Sequence, residues 1–173
     1  MNERKVVVAT AVGFDKLYTE SRERLAGQLY ALTGDRDGAL DLVQEAFVRT
    51  WARWDRIAAY DDPEAFVRRV AFNLAKSQWR RVKRTLLRAK PPEGVEPPPD
   101  PSSRQDLVAA LKTLPTRERE AIVLHYLAGQ TIDEIAADMK APVGTVKSWL
   151  GRGRGRLAER LGVDYSEEMT CHG

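Results

Sequence analysis

Eleven residues near the middle of the chain, PPEGVEPPPDP (residues 91–101), constrain its fold more than any other stretch. They hold six of its nine prolines. Proline has no backbone N–H to donate and its ring clashes with the preceding turn, so neither a helix interior nor a paired strand survives that density. The stretch reads as an extended tether over residues 89–102, which at ~3.1 Å per residue reaches roughly 40 Å. It is acidic, carrying Glu93, Glu96 and Asp100. The 173 residues therefore divide into blocks 1–88 and 103–163, with a tail at 164–173. Blocks of about 85 and 60 residues are each large enough for one small core.

Both blocks show apolar residues at 3.6-residue spacing and no sustained strand alternation. The expected fold class is all-α: two small helical domains joined by a Pro-rich flexible linker. Phe14, Leu17, Tyr18, Leu25, Leu29 and Leu32 mark a first helix, closed by the turn TGD at residues 33–35. Val43, Ala46, Phe47, Thr50, Trp51 and Trp54 fall on one stripe of a second. DDPEAF opens a third, with Asp62 as N-cap and Pro63 at the first helical position. Its buried arc is expected to hold Val67, Val70, Ala71 and Leu74.

Several chemistries lack their residues. Cys171 is the single cysteine, which excludes an internal disulfide framework and suits a reducing compartment. It stands beside His172, and His125 is the only other histidine, so too few ligands exist for a metal site, and no cofactor is expected. The run VVV at residues 6–8 follows Arg4 and Lys5 but is too short for a signal peptide. No stretch approaches the ~20 apolar residues of a membrane span. The expectation is a soluble, cytoplasmic protein. With no phosphate loop and no clustered catalytic carboxylates or histidines, it is not expected to be an enzyme.

Three surfaces attract attention instead. On the second helix, Asp41, Gln44, Glu45 and Val48 share the face opposite the aromatic stripe. Such a face is either a solvated acidic surface or a docking site for a basic partner with an apolar centre. On the third, nine Lys/Arg and no acid lie between Glu64 and Glu93, a local basic block more telling than the net charge of +3. Arg69, Asn73, Lys76, Arg80 and Lys83 occupy its outer arc, flanked by Phe72 and Trp79. Cations track phosphates, and aromatics among them give unpaired bases a stacking platform. The alternative is that these aromatics belong to the core.

The third surface is in the second block. LPTREREAIVLHYLAG reads as a helix ending at Gly129, and TIDEIAADM starts with a Thr131–Glu134 capping box. After the turn KAP comes VGTVKSWLGRGRGRLAERL, with Pro142 near the first helical position. Two short helices so joined form a helix-turn-helix. On a wheel, Val143, Val146, Leu150, Leu157 and Leu161 share one arc, with Gly153 beside it. Thr145, Ser148, Arg152 and Arg156 face away, flanked by Lys147 and Trp149. A disordered Arg-Gly tract would not keep this register, and a phosphate loop would need G-x-x-x-x-G-K-[ST] after a strand. The stretch reads as a recognition helix whose first turns enter a major groove. Arg154, Arg156 and Arg160 suit phosphates.

LTGDRDGALDLVQEAFVRTWARWDRI, PEAFVRRVAFNLAKSQWRR and the block from LPTRERE to GRGRGRL, in this order, resemble the extracytoplasmic-function group of sigma-70 factors, subunits of bacterial RNA polymerase. The resemblance covers roughly residues 12–162. It implies a subunit that binds core polymerase and directs promoter-specific initiation. Asp41, Gln44, Glu45 and Val48 would meet the β′ clamp helices, with the β flap a further contact. The loop at residues 56–62, with Arg56, Tyr60 and Asp61, would recognise and hold open the promoter −10 element together with Phe66, Arg69, Asn73, Lys76, Arg80 and Lys83. Thr145, Lys147, Ser148, Trp149, Arg152 and Arg156 would read the −35 element. An anti-sigma protein is a further partner that the group implies. The sequence departs from the family pattern at Lys140, where glycine is common, at Pro142, at Trp149, and at Gly151 and Gly155. A stand-alone helix-turn-helix regulator, binding operators as a dimer, is the alternative; it leaves the surfaces of the first block unused.

Overall fold

A computed structural model describes residues 3–86 and 103–162, with side chains over 13–78 and 106–162. The linker, the tail with Cys171 and His172, and the side chains of Trp79, Arg80 and Lys83 lie outside the described residues. All regular structure among the described residues is helical, as the apolar spacing requires. The helices fall into two compact units.

In the first unit α1 (Glu3–Thr33), α2 (Arg36–Trp51) and α4 (Pro63–Leu86) pack on one another, and the single-turn α3 (Trp54–Ile57), which follows α2 in the chain, rests on α1 and α2. The α1–α2 turn is made by Gly34 at φ 71° and by Asp35, whose carboxylate accepts from the Gly38 N–H at 3.1 Å. The core is Leu25, Leu29, Val43, Phe47, Ile57, Val67, Ala71 and their neighbours. Phe14 stands edge-on to Phe47, Trp51 and Trp54, and Tyr18 edge-on to Phe47. At the head of α4 the Ala65 N–H donates to Asp62 at 2.9 Å, the cap expected of DDP. Arg24 makes a bidentate bridge to Glu64 that ties α1 to α4. This pairing raises the Arg24 pKa above its ordinary value.

Three expectations change here. The second-helix stripe is not continuous: α2 ends at Trp51, and Trp54 begins α3. Trp51 is half exposed, while Trp54 is buried. In α4, Val70 and Leu74 are only half buried. Phe72, expected as a stacking platform, is 3% exposed and belongs to the core. The inward face of α4 is rotated toward Phe72 and Ala75 because α4 is packed on by both α1 and α2, a constraint absent from the helix's own sequence.

The second unit contains α5 (Ser103–Thr113), α6 (Thr116–Ile122), a π-helical turn (Val123–Leu127), α7 (Ile132–Met139) and α8 (Val143–Leu161). LPTREREAIVLHYLAG is thus an α-helix that widens. The Ala128 N–H reaches the Val123 carbonyl, and Gly129 at φ 68° then reverses the chain. The Thr131–Glu134 capping box forms with both of its bonds. Lys140 sits in the left-handed region at φ 51°, which explains why glycine suits this turn. Pro142 is the N-cap of α8, one position before the expected one. On α8, Val146, Leu150 and Gly153 are buried, but Val143 and Leu161 are exposed and Leu157 is half buried. The five-residue arc is therefore a core face only in its middle turns, where α6 and α7 cover it.

Candidate functional site

The face of α2 is as the wheel places it. Asp41, Gln44, Glu45 and Val48 are all exposed, and Val48, at 66%, is an apolar side chain kept in solvent. Glu45 pairs with Arg49 at 2.7 Å, one turn on. Trp51 extends the same face by nearly a turn beyond Val48, so the apolar patch is larger than the sequence reading allowed. The missed signal was the i, i+4, i+7 spacing of Gln44, Val48 and Trp51, which competes with the buried stripe for the same tryptophan. A solvent-facing valine beside a half-exposed indole, with carboxylates around them, fits a partner better than it fits water.

The loop expected at 56–62 starts later, because Arg56 lies in α3; α3, the α3–α4 loop and α4 together bring three expected residues into one cluster. Arg56 Nε donates to the Tyr60 hydroxyl at 3.2 Å, and the Tyr60 ring stands edge-on to Phe66 at 5.9 Å. Asp61 is exposed beside them. Along α4 the cluster continues into Arg69 and Asn73, both exposed, and half-buried Lys76. These positions, spaced 66, 69, 73 and 76, form a single face. It is a strip with aromatic rings at one end and polar and cationic groups along it, suited to splayed bases and their backbone. Arg68, counted in the basic block, is instead buried.

On α8, Lys147 and Ser148 are exposed, with Thr145 half buried beside them. The Ser148 hydroxyl donates to the Gly144 carbonyl at 2.9 Å. The Trp149 indole is half buried beneath the Arg117 guanidinium, 6.0 Å from the ring centre. Arg152 and Arg156 do not stand free as the wheel suggested: both bond to Glu118 of α6, at 3.0 and 2.6 Å. Arg154 reaches the Tyr126 hydroxyl. Nearby, burial lowers the Arg119 pKa from its ordinary value.

The three glycines of GRGRG separate. A Cβ on Gly153 would lie 2.8 Å from Ile122 Cγ1, so its absence lets α8 approach α6. A Cβ on Gly151 or Gly155 would meet nothing within 4 Å. Among the described residues no group of three His, Cys, Asp or Glu is placed to hold a metal ion, and no helix is long and apolar enough to cross a membrane.

Known proteins match both units. The Sigma-70 region 2 model matches residues 17–85 and the Sigma-70 region 4 model residues 104–157. An RNA polymerase sigma-E factor of Streptomyces avermitilis is 34% identical over 154 residues, spanning 86% of this chain and 84% of its own. The ECF RNA polymerase sigma factor EcfG of Rhodopseudomonas palustris is 31% identical over 144 residues, 80% of each chain. Among solved structures, the sigma factor RpoE in complex with the anti-sigma factor NepR from Bartonella quintana is similar with TM-score 0.76 and 29% identity, covering 88% of this chain and 98% of its own.

Proposed function

The chain belongs to the extracytoplasmic-function group of the sigma-70 family, and on that premise we propose how its surfaces share the work of promoter-specific initiation by RNA polymerase. Residues 1–88 bind core polymerase and the −10 element, residues 103–163 read the −35 element, and the linker at 89–102 spans between them. The observation that carries this reading is the coexistence of three unlike surfaces on one chain. They are the acidic-apolar face of α2, the aromatic-cationic strip of α4 and the helix-turn-helix of α7 and α8.

Each surface has its own chemistry. The α2 face, with Asp41, Gln44, Glu45, Val48 and Trp51, docks on the β′ clamp helices, its carboxylates meeting cations around an apolar centre. The Arg56–Tyr60–Phe66 cluster captures an unstacked base of the −10 element, while Arg69, Asn73 and Lys76, continued by Arg80 and Lys83, hold the single strand. Stacking of this kind is worth ~1–3 kcal/mol per base, comparable with the cost of unpairing it. The first turns of α8 enter the −35 major groove with Thr145, Lys147, Ser148 and Trp149 at base edges, and Arg152 and Arg156 farther along. The second unit also meets the β flap, and an anti-sigma protein competes for these surfaces, as the complexed RpoE relative supports. Neither DNA contact needs to be strong alone, because polymerase holds both units at high effective concentration.

Footprinting of the complex with core polymerase tests the division. Two protected blocks upstream of the start site are expected, with permanganate-reactive, unpaired thymines in the downstream one. Protection of a single palindromic block by the chain alone would instead support a dimeric operator-binding regulator.

A further inference from the structure

Glu118 is buried on α6, with its side chain 6% exposed, yet both carboxylate oxygens are taken by cations from α8. Oε1 accepts from Arg152 Nε at 3.0 Å and Oε2 from Arg156 Nη1 at 2.6 Å. The two arginines are one helical turn apart. Their side chains are 54% and 48% exposed, so each arginine holds the buried carboxylate and still reaches solvent. The neighbouring Arg117 lies over the Trp149 ring. Two consecutive residues of α6 thus engage three of the side chains that α8 presents.

We propose that Glu118 is a positioning residue that sets the sequence selectivity of α8 without touching DNA. The inference rests on the reading of α8 as the −35 helix. A free arginine side chain samples many rotamers and bonds whichever phosphate is nearest, which adds affinity and no sequence information. Charge-assisted bonds to a buried carboxylate remove that freedom and leave only the outer edge of each guanidinium to be satisfied. They also offset about one of the two positive charges, which reduces the sequence-independent pull of the phosphates. Gly153 belongs to the same device. It lies between the two arginines and lets α8 come close to α6, with Ile122 Cγ1 only 2.8 Å from where its Cβ would stand.

The test uses the full chain with purified core polymerase and a pool of linear templates. These share one start region and carry a randomised upstream block, each block paired with its own barcode in the transcribed part. Transcripts are sequenced, and the readout is the ratio of preferred to average upstream sequences. Because this ratio is internal to each reaction, a variant that is merely less folded lowers all templates alike and leaves it unmoved. Glu118→Gln is expected to lower the ratio about tenfold, within the range a well-placed base contact contributes. Glu118→Asp keeps the charge but is one methylene too short to reach both arginines, and is expected to lower the ratio to a smaller degree. It carries the test if the glutamine variant fails to fold. An unchanged ratio in the folded variants overturns the role of Glu118 while leaving α8 as the reader. If the unaltered chain enriches no upstream sequence, the −35 reading falls, and this inference with it.

Discussion

Replacing Gly153 by alanine is expected to loosen α8, whereas the same replacement two residues to either side is expected to tighten it. Alanine is favoured over glycine in a helix interior by about 1 kcal/mol, and this term is common to all three sites. At Gly151 and Gly155 nothing opposes it, because the added Cβ enters open space. At Gly153 the Cβ would stand 2.8 Å from Ile122 Cγ1 and 3.2 Å from its Cδ1. Cγ1 is not the free end of the side chain, and Ile122 is itself buried, so the helices must separate or Ile122 must leave its rotamer. Such overpacking costs about 1–3 kcal/mol, for a net loss of roughly 0–2 kcal/mol. Native-state hydrogen exchange of the α8 amides, read on the full chain, measures the outcome. Gly151→Ala and Gly155→Ala should each slow exchange about fivefold, and Gly153→Ala should leave it unchanged or speed it. The penalty should also vanish in an Ile122→Ala background, a coupling expected only of residues in contact. If Gly153→Ala slows exchange as much as the other two, the close approach of α6 and α8 is wrong.

Asp41→Ala combined with Glu45→Ala is expected to weaken association with core polymerase about tenfold or more, as for hot-spot interface residues, read by titration of labelled chain. Unchanged affinity would make the α2 face a solvated surface. Tyr60→Ala removes both the Arg56 bond and the edge contact with Phe66, and should reduce permanganate reactivity at the −10 thymines at least fivefold. Full reactivity would assign base capture elsewhere. Lys140→Gly relieves a left-handed lysine and should stabilise the second unit by about 1 kcal/mol in urea denaturation, whereas a loss would mean that Lys140 makes a contact outweighing its backbone strain.

Features set by a few adjacent residues were legible in the sequence. The Asp62 cap, the Thr131–Glu134 box and the glycine turn at 129 each depend on bonds within about one helical turn. The exposed face of α2 was also legible, because its outward residues repeat at helical spacing. Tertiary choices were not. Phe72 and Trp51 each sit at the border between an apolar and a polar arc, and only the packing of neighbouring helices decides that the first is buried and the second half exposed. The partner of Arg152 and Arg156 lies 34 and 38 residues earlier, so no local pattern could reveal it. The separate roles of the three glycines have the same origin. They look alike along the chain, and only Gly153 faces another helix.

All of these roles require that the chain confer promoter specificity on RNA polymerase. In vitro transcription of a genomic fragment library by purified core polymerase, with and without the chain, tests it most directly. A discrete set of start sites should appear only when the chain is added, preceded by shared sequence blocks at the −10 and −35 positions. No chain-dependent start sites, together with no association with core polymerase, would contradict it.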